Sequence, residues 1–207
     1  MGGTDTRPGE YPFAALLGHD VFREIGRLPG RGPVTRKEIR WACGGTLINH
    51  WYVLTAAHCQ GRTPATRISK LRLGDWSVEG YGGEENKENL PDEQDFDIRD
   101  EDVKVHEDFM TVYENNHKNT VNDIALIKLP RPARINAGVQ IACLPFHPQE
   151  FQNYLKISDL ISGLVGRQSV VIGWGKTDVD KLVAHDGLGS RKLRKLQVCS
   201  NNTAKPT

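Results

Sequence analysis

The feature that most limits the folds open to this chain is a series of short apolar runs, separated by polar, glycine-rich or proline-rich segments. The chain has 207 residues, including 21 glycines and 11 prolines, and sustained helical periodicity is scarce. Short apolar runs between turn residues are typical of strands in a barrel or a sandwich. The sequence therefore predicts an all-β fold, with strand candidates at 13–17, 45–48, 52–55, 70–73, 102–105, 124–129 and 169–172.

Two longer segments between these runs are predicted to be loops. Residues 18–40 contain closely spaced glycines, prolines and basic residues, whereas residues 79–101 are rich in Asp and Glu. The simplest interpretation of the acidic segment 79–101 is a solvated surface loop. The alternative is a calcium-binding loop, although the carboxylates do not follow the spacing of an EF-hand. No other cofactor is expected.

Charge and composition argue against several classes of protein. The net charge is +1, which gives no reason to expect a nucleic-acid partner. No apolar run reaches the roughly 18–20 residues that a membrane-spanning helix needs. The opening residues Met1–Asp5 lack the basic start and apolar core of a signal peptide, so the chain is cytosolic or is a mature segment without its upstream part.

The four cysteines, Cys43, Cys59, Cys143 and Cys199, form no CxxC pair, so a zinc site or a thioredoxin motif is not expected. Counting alone does not separate buried thiols from disulfides. The segment from Trp41 to Cys59 adds information, because its two cysteines bracket two strand candidates and end beside a histidine. It closes in Thr55-Ala-Ala-His58-Cys59, which is predicted to form one helical turn.

This segment resembles the trypsin/chymotrypsin-like (peptidase S1) serine proteases, whose catalytic histidine lies in a Thr-Ala-Ala-His-Cys motif. Asn122-Asp123-Ile-Ala-Leu resembles the family motif whose Asp orients that histidine, and Ile172-Gly-Trp-Gly resembles a segment of the second barrel. The resemblance implies that His58 is the catalytic base, that Asp123 orients it and that Cys43 and Cys59 are bonded. The motifs follow the family order, in which the nucleophilic Ser comes last.

The resemblance also implies a fold, a class of substrate and a location. We expect a chymotrypsin-like double β-barrel within one peptidase domain at 1–207, with a first barrel at about 14–135 and an incomplete second barrel at about 136–207. A secreted, disulfide-bonded zymogen that acts on protein substrates is implied, most similar to the arthropod clip-domain proteases. Cys143 lies where two-chain family members are bonded to their prosegment, so a linked prosegment is expected there.

The sequence departs from the family at the nucleophile. It contains no Gly-Asp-Ser-Gly-Gly string, and neither Ser190 nor Ser200 has that context. We therefore expect the 207-residue chain itself to lack peptidase activity. Two hypotheses remain: the sequence is a fragment of an active serine endopeptidase, or it is an inactive homologue that binds partners in a protease cascade.

Overall fold

The computed structural model describes residues 3–28, 30–78, 93–114, 117–144, 166–175 and 192–199. The regular structure in these ranges consists of strands and short 3-10 helices at Ala57–Cys59, Pro64–Thr66 and Asp100–Asp102. The strands are β1 Thr4–Asp5, β2 Ala14–Leu28, β3 Gly32–Asn49, β4 Tyr52–Thr55, β5 Lys70–Leu73, β6 Gln94–Asp97, β7 Val103–Val105, β8 Met110–Glu114, β9 His117–Val121, β10 Ala125–Lys128, β11 Gln168–Gly173 and β12 Arg194–Cys199.

Seven of these strands form one antiparallel sheet in the order β6-β5-β2-β3-β4-β10-β7. Burial alternates along β4, β5, β6 and β10, as expected when every second side chain faces an enclosed interior. Val53, Leu71, Phe96 and Ile127 of these strands meet Leu47 of β3 in one apolar cluster. The sheet therefore curls around one core, which holds the loops at its ends in fixed positions.

The prediction that residues 18–40 form a loop is wrong. Strands β2 and β3 pair from Ala14↔Thr46 out to Leu28↔Gly32 and form a long two-stranded ribbon that continues beyond the sheet. The chain reverses at the tip, where Gly30 and Gly32 have φ values of +74° and +83°, a region that favours glycine. Most side chains of the ribbon are exposed on both faces, so its sequence lacks the apolar alternation that marks a half-buried strand.

Other strands also escaped the sequence pattern. Strand β6 lies within the predicted acidic loop 79–101 and buries Gln94 and Phe96. Strands β8 and β9 pair with each other as a separate hairpin, and neither strand was predicted. Residues 79–92 of the acidic segment lie outside the described residues.

A second sheet consists of β1, β12 and β11 in that order. It contacts the first sheet through a small cluster of Ala14, Trp76 and Leu193. The Trp76 indole N–H donates to the carbonyl oxygen of Thr6 at 2.9 Å, and the Trp76 carbonyl accepts from the N–H of Leu193 at 2.9 Å. Trp76 thus joins the N-terminal segment and the second sheet to the first core.

Candidate active site

The pairing of β4 with β10 brings together two loops that are distant in sequence. Ala125 lies opposite Thr55 in the antiparallel register. The chain leaves β4 just after Thr55 and enters β10 just before Ala125, so both connecting segments lie at the same end of the sheet. His58 is in the first segment and Asp123 is in the second.

A disulfide anchors the segment that carries His58. Cys43 on β3 is bonded to Cys59, with a Cα–Cα distance of 6.0 Å, so the expected bond is present. The 3-10 turn at Ala57–Cys59 confirms the predicted helical turn, and both cysteines pack against the main core. The Thr55 hydroxyl also donates to the Gly44 carbonyl oxygen at 2.8 Å. The backbone on both sides of His58 is therefore held to the barrel.

The side chains of His58 and Asp123 are in direct contact. Nδ1 of His58 lies 2.7 Å from Oδ2 of Asp123, and the backbone N–H of His58 donates to Oδ1 at 2.8 Å. Because an ionised carboxylate can only accept, the short contact requires a proton on Nδ1. In the neutral imidazole, Nε2 then carries the lone pair. The His58 side chain is 56% exposed, and Nε2 lies 3.8 Å from Sγ of Cys59.

The carboxyl group of Asp123 is held in its charged form. Partial burial favours the neutral acid, but the hydrogen bonds from the ring and the backbone of His58 outweigh burial and lower the pKa of Asp123. The hydroxyl of Thr120 lies 3.5 Å from Oδ2 and adds a weaker contact. The charged carboxylate therefore faces the Nδ1 proton of His58.

Asn122 gives the backbone the shape that presents Asp123. Its φ is +54°, and among the described residues it is the only one other than glycine in the left-handed region. Its side-chain amide donates to the Asp108 carbonyl oxygen at 3.1 Å, and its own carbonyl accepts from the N–H of Ile124 at 2.8 Å. Sequence reasoning did not assign a role to Asn122 or Thr120. The tolerance of Asn for left-handed φ is the signal that points to Asn122.

An open cavity of about 450 Å³ adjoins Asp123. Its wall includes Leu54 and Thr55 of β4 and Ile124, which directly precedes β10. On the other side, β11 contributes Ile172 and the residue after it is Trp174. The carboxylate thus lies at the boundary between the two sheets, beside a space large enough for several side chains.

The remaining predicted sites have mixed outcomes. Cys143 is an exposed free thiol, and the side chain of Cys199 is not among those described. Ser190 and Ser200 lie outside the described residues. No described helix is both long enough and apolar enough to cross a membrane.

The described part of the acidic segment forms ion pairs. Asp95 contacts Arg72 at 2.7 Å, and Asp97 and Asp100 pair with Lys70 and Arg67. Calcium binding at 79–101 stays a prediction, since most of that segment is not described. Elsewhere in the described ranges, the potential metal ligands that cluster are Cys43, His58 and Cys59. The disulfide occupies both sulfurs, which leaves no thiolate to bind a metal.

Comparisons with known proteins agree with this geometry. The family model described as Trypsin matches residues 22–204. Phenoloxidase-activating factor 3 of Holotrichia diomphalia is 34% identical over 182 residues, which cover 86% of this chain and 43% of that protein. The CLIP domain-containing serine protease HP8 of Bombyx mori is 32% identical over 183 residues, which cover 86% of this chain and 41% of that protein. The chain spans less than half the length of these curated relatives.

A solved structure supports the fold. The Drosophila Grass clip serine protease of the Toll pathway matches with a TM-score of 0.58 and 24% identity, over 95% of this chain and 46% of that chain. This match, together with the two sheets, confirms the all-β, chymotrypsin-like double-barrel architecture that the sequence predicted. With the family match over most of its length, the chain belongs to the trypsin family of serine proteases.

Proposed function

We propose that this chain supplies the catalytic histidine and its orienting aspartate to a serine endopeptidase. The observation that carries the proposal is the 2.7 Å contact between Nδ1 of His58 and Oδ2 of Asp123, on a His58 side chain that is 56% exposed. His58 is the general base, and Asp123 holds its ring in the tautomer that can accept a proton. Cys43–Cys59 restricts the backbone beside the base.

The proposed chemistry follows from this geometry. Nε2 of His58 takes the proton of a serine hydroxyl as that oxygen attacks the substrate carbonyl, and Asp123 stabilises the imidazolium that forms. The same nitrogen then returns the proton to the leaving amine. The carboxylate stays ionised throughout, in agreement with its lowered pKa.

The 207 residues do not contain a nucleophilic serine within the motif that surrounds it in the family. No Gly-Asp-Ser-Gly-Gly string occurs in the sequence, so the base has no activated serine to deprotonate. We propose that the 207-residue polypeptide by itself does not hydrolyse peptide bonds. The same observation favours a second candidate function, in which the protein is an inactive homologue that binds a partner in a protease cascade.

The biological setting is proposed from the relatives. Their names place them in phenoloxidase activation and among clip-domain proteases. For this chain we propose secretion, protein substrates and a role in an extracellular cascade. The exposed thiol of Cys143 is proposed to bond a prosegment in the zymogen.

A serine-directed fluorophosphonate probe distinguishes the two candidate functions. If the protein is an active endopeptidase, the probe should label the protein purified from its natural source. In either case, we expect no labelling of recombinant residues 1–207. A His58→Ala variant of the natural-length protein should lose labelling, because the probe reacts with an activated serine. Unlabelled natural protein that still binds a cascade component would support the inactive homologue, and labelled 1–207 would contradict the proposed inactivity.

A further inference from the structure

The ribbon of residues 19–41, formed by the outer parts of β2 and β3, combines three features that the proposed catalysis does not use. It has unpaired strand edges, an excess of arginine on one face, and exposed apolar side chains elsewhere on its surface.

Both strands of the ribbon have an open edge. β2 pairs with β5 only over Ala15–Gly18, and β3 pairs with β4 only between Thr46 and Asn49. Beyond these positions the described strands pair only with each other. An open edge presents unpaired backbone N–H and C=O groups, to which an extended peptide can add as a further strand.

The charge of the ribbon is unbalanced. Six basic and three acidic side chains lie between residues 19 and 41, although the whole chain carries a net charge of only +1. Each acid already has a cation: Lys37 contacts Asp20 at 2.6 Å, Arg36 contacts Glu38 at 3.1 Å, and Arg27 contacts Glu24 at 3.5 Å. Arg23, Arg31 and Arg40 are exposed and have no carboxylate partner within the described ranges.

The positive charges converge on one face. Arg23 lies directly opposite Arg36, and Arg40 follows Arg36 at a spacing of four along β3, so the strand period of two places all three on the same side. Glu38 lies between Arg36 and Arg40 on this side, but its side chain is only 11% exposed and pairs with Arg36, so an excess of positive charge remains. Like charges that face each other across a ladder destabilise it. A balanced set of surface charges would protect the edge without this repulsion, so the excess of arginine points to an anionic partner.

The other face carries one strongly exposed apolar side chain, Phe22, which has Asp20 and Glu24 beside it along β2 and Lys37 opposite it on β3. Phe22 is 68% exposed and alternates with Arg23 along β2, so it projects to the opposite side. A strand that adds to the edge presents its side chains alternately to the two faces. It would match the ribbon if acidic and apolar residues alternate along it.

We propose that the ribbon of residues 19–41 binds an extended, acidic segment of a partner protein by strand addition, with carboxylates on the arginine face and apolar side chains on the Phe22 face. This binding does not involve His58 or Asp123. It is therefore independent of whether the chain takes part in catalysis.

Fluorescence anisotropy with synthetic peptides tests the proposal on the 207-residue chain. The probe is a labelled dodecapeptide in which Glu or Asp alternates with Val or Phe. A second peptide of the same composition places all acidic residues in one block. We expect the alternating peptide to bind more tightly than the block peptide, and its binding to weaken as salt rises from about 50 to about 300 mM.

Matched variants locate the binding surface. The double variant Arg23→Glu with Arg40→Glu should weaken binding about tenfold or more, because attractive pairs become repulsive. Phe22→Ser should weaken it without changing the salt dependence. The control, Lys104→Glu with Lys128→Glu, makes the same change in net charge at exposed positions on β7 and β10 and should bind like the unmodified chain.

Several outcomes would overturn the proposal. If the two peptides bind with equal affinity, binding by strand addition is excluded. If the ribbon variants and the control variant lose affinity equally, the binding depends only on the net charge of the chain. A heparin oligosaccharide that binds the ribbon more tightly than the alternating peptide assigns the surface to a sulfated glycan instead. If the alternating peptide does not bind even at low salt, the proposed acidic partner is excluded. Circular dichroism of each variant verifies that the fold is retained.

Discussion

Replacing the buried carboxylate of Asp75 with an amide should change how stability depends on pH. The Asp75 side chain is 1% exposed, and its Oδ1 has no hydrogen-bond partner among the described residues. Oδ2 lies 3.4 Å from the Arg72 guanidinium. Burial raises the pKa of Asp75 from an ordinary 3.8 to about 6, because the attraction of Arg72 does not fully offset the loss of solvent.

The direction of the effect follows from this raised pKa. The folded protein favours the neutral carboxyl group more strongly than the unfolded chain does. Protonated Asp75 therefore gives its full contribution to stability below about pH 4, and this contribution is lost as the pH rises through about 6. A shift of about two pKa units corresponds to about 3 kcal/mol of unfolding free energy at neutral pH.

Urea unfolding followed by the fluorescence of the four tryptophans measures this contribution. Asp75→Asn keeps the shape and one acceptor oxygen but cannot ionise. We expect the variant to match the unmodified chain at pH 4 and to exceed its stability at pH 7.5 by up to about 3 kcal/mol. EDTA in all buffers excludes calcium, and Asp108→Asn, at an exposed position, controls for the change in net charge. If the two proteins are equally stable at pH 7.5, or if the unmodified chain is the more stable one, this account of the buried carboxylate is refuted.

Three further substitutions test the parts of the fold that support the site. Replacing Cys43 and Cys59 with serine should lower the unfolding free energy by about 3 kcal/mol, because the bond closes a loop with a sequence separation of 16; a loss below about 1 kcal/mol in urea unfolding would contradict this. Asn122→Ala should cost roughly 1–2 kcal/mol for its left-handed φ, whereas Asn122→Gly, which tolerates that φ, should cost less; the reverse order in thermal unfolding would count against the strained turn. Gly18→Ala should lower the unfolding free energy by about 1–3 kcal/mol, because the added Cβ would lie 2.6 Å from the Ile39 side chain. An unchanged melting temperature would contradict this, because it would mean that the strands around Gly18 move apart at no cost.

The two predicted catalytic residues could be found from the sequence because their motifs are local. His58 ends a short segment that begins at Cys43, and Asp123 directly precedes an apolar strand. Their contact is not local, since it spans 65 residues of sequence. It arises from the β4–β10 register, which only the folded chain defines.

The ribbon shows why some strands of the fold could not be predicted from the sequence. Burial imposes a periodic pattern that a single sequence reveals, so the core strands β4, β5 and β10 were anticipated. Residues 19–41 are held by cross-strand hydrogen bonds with little burial, so glycines, prolines and charges there resembled a loop.

The amino-acid sequence by itself determined the β-rich class, the family and the identity of the histidine and aspartate, because these depend on local patterns of residues. Tertiary structure alone decided that His58 and Asp123 touch, that Asn122 shapes the turn before the aspartate and that Asp75 is buried. Each of these depends on which strands pair and in which register. That choice is made by the packing of the whole core, not by any short segment.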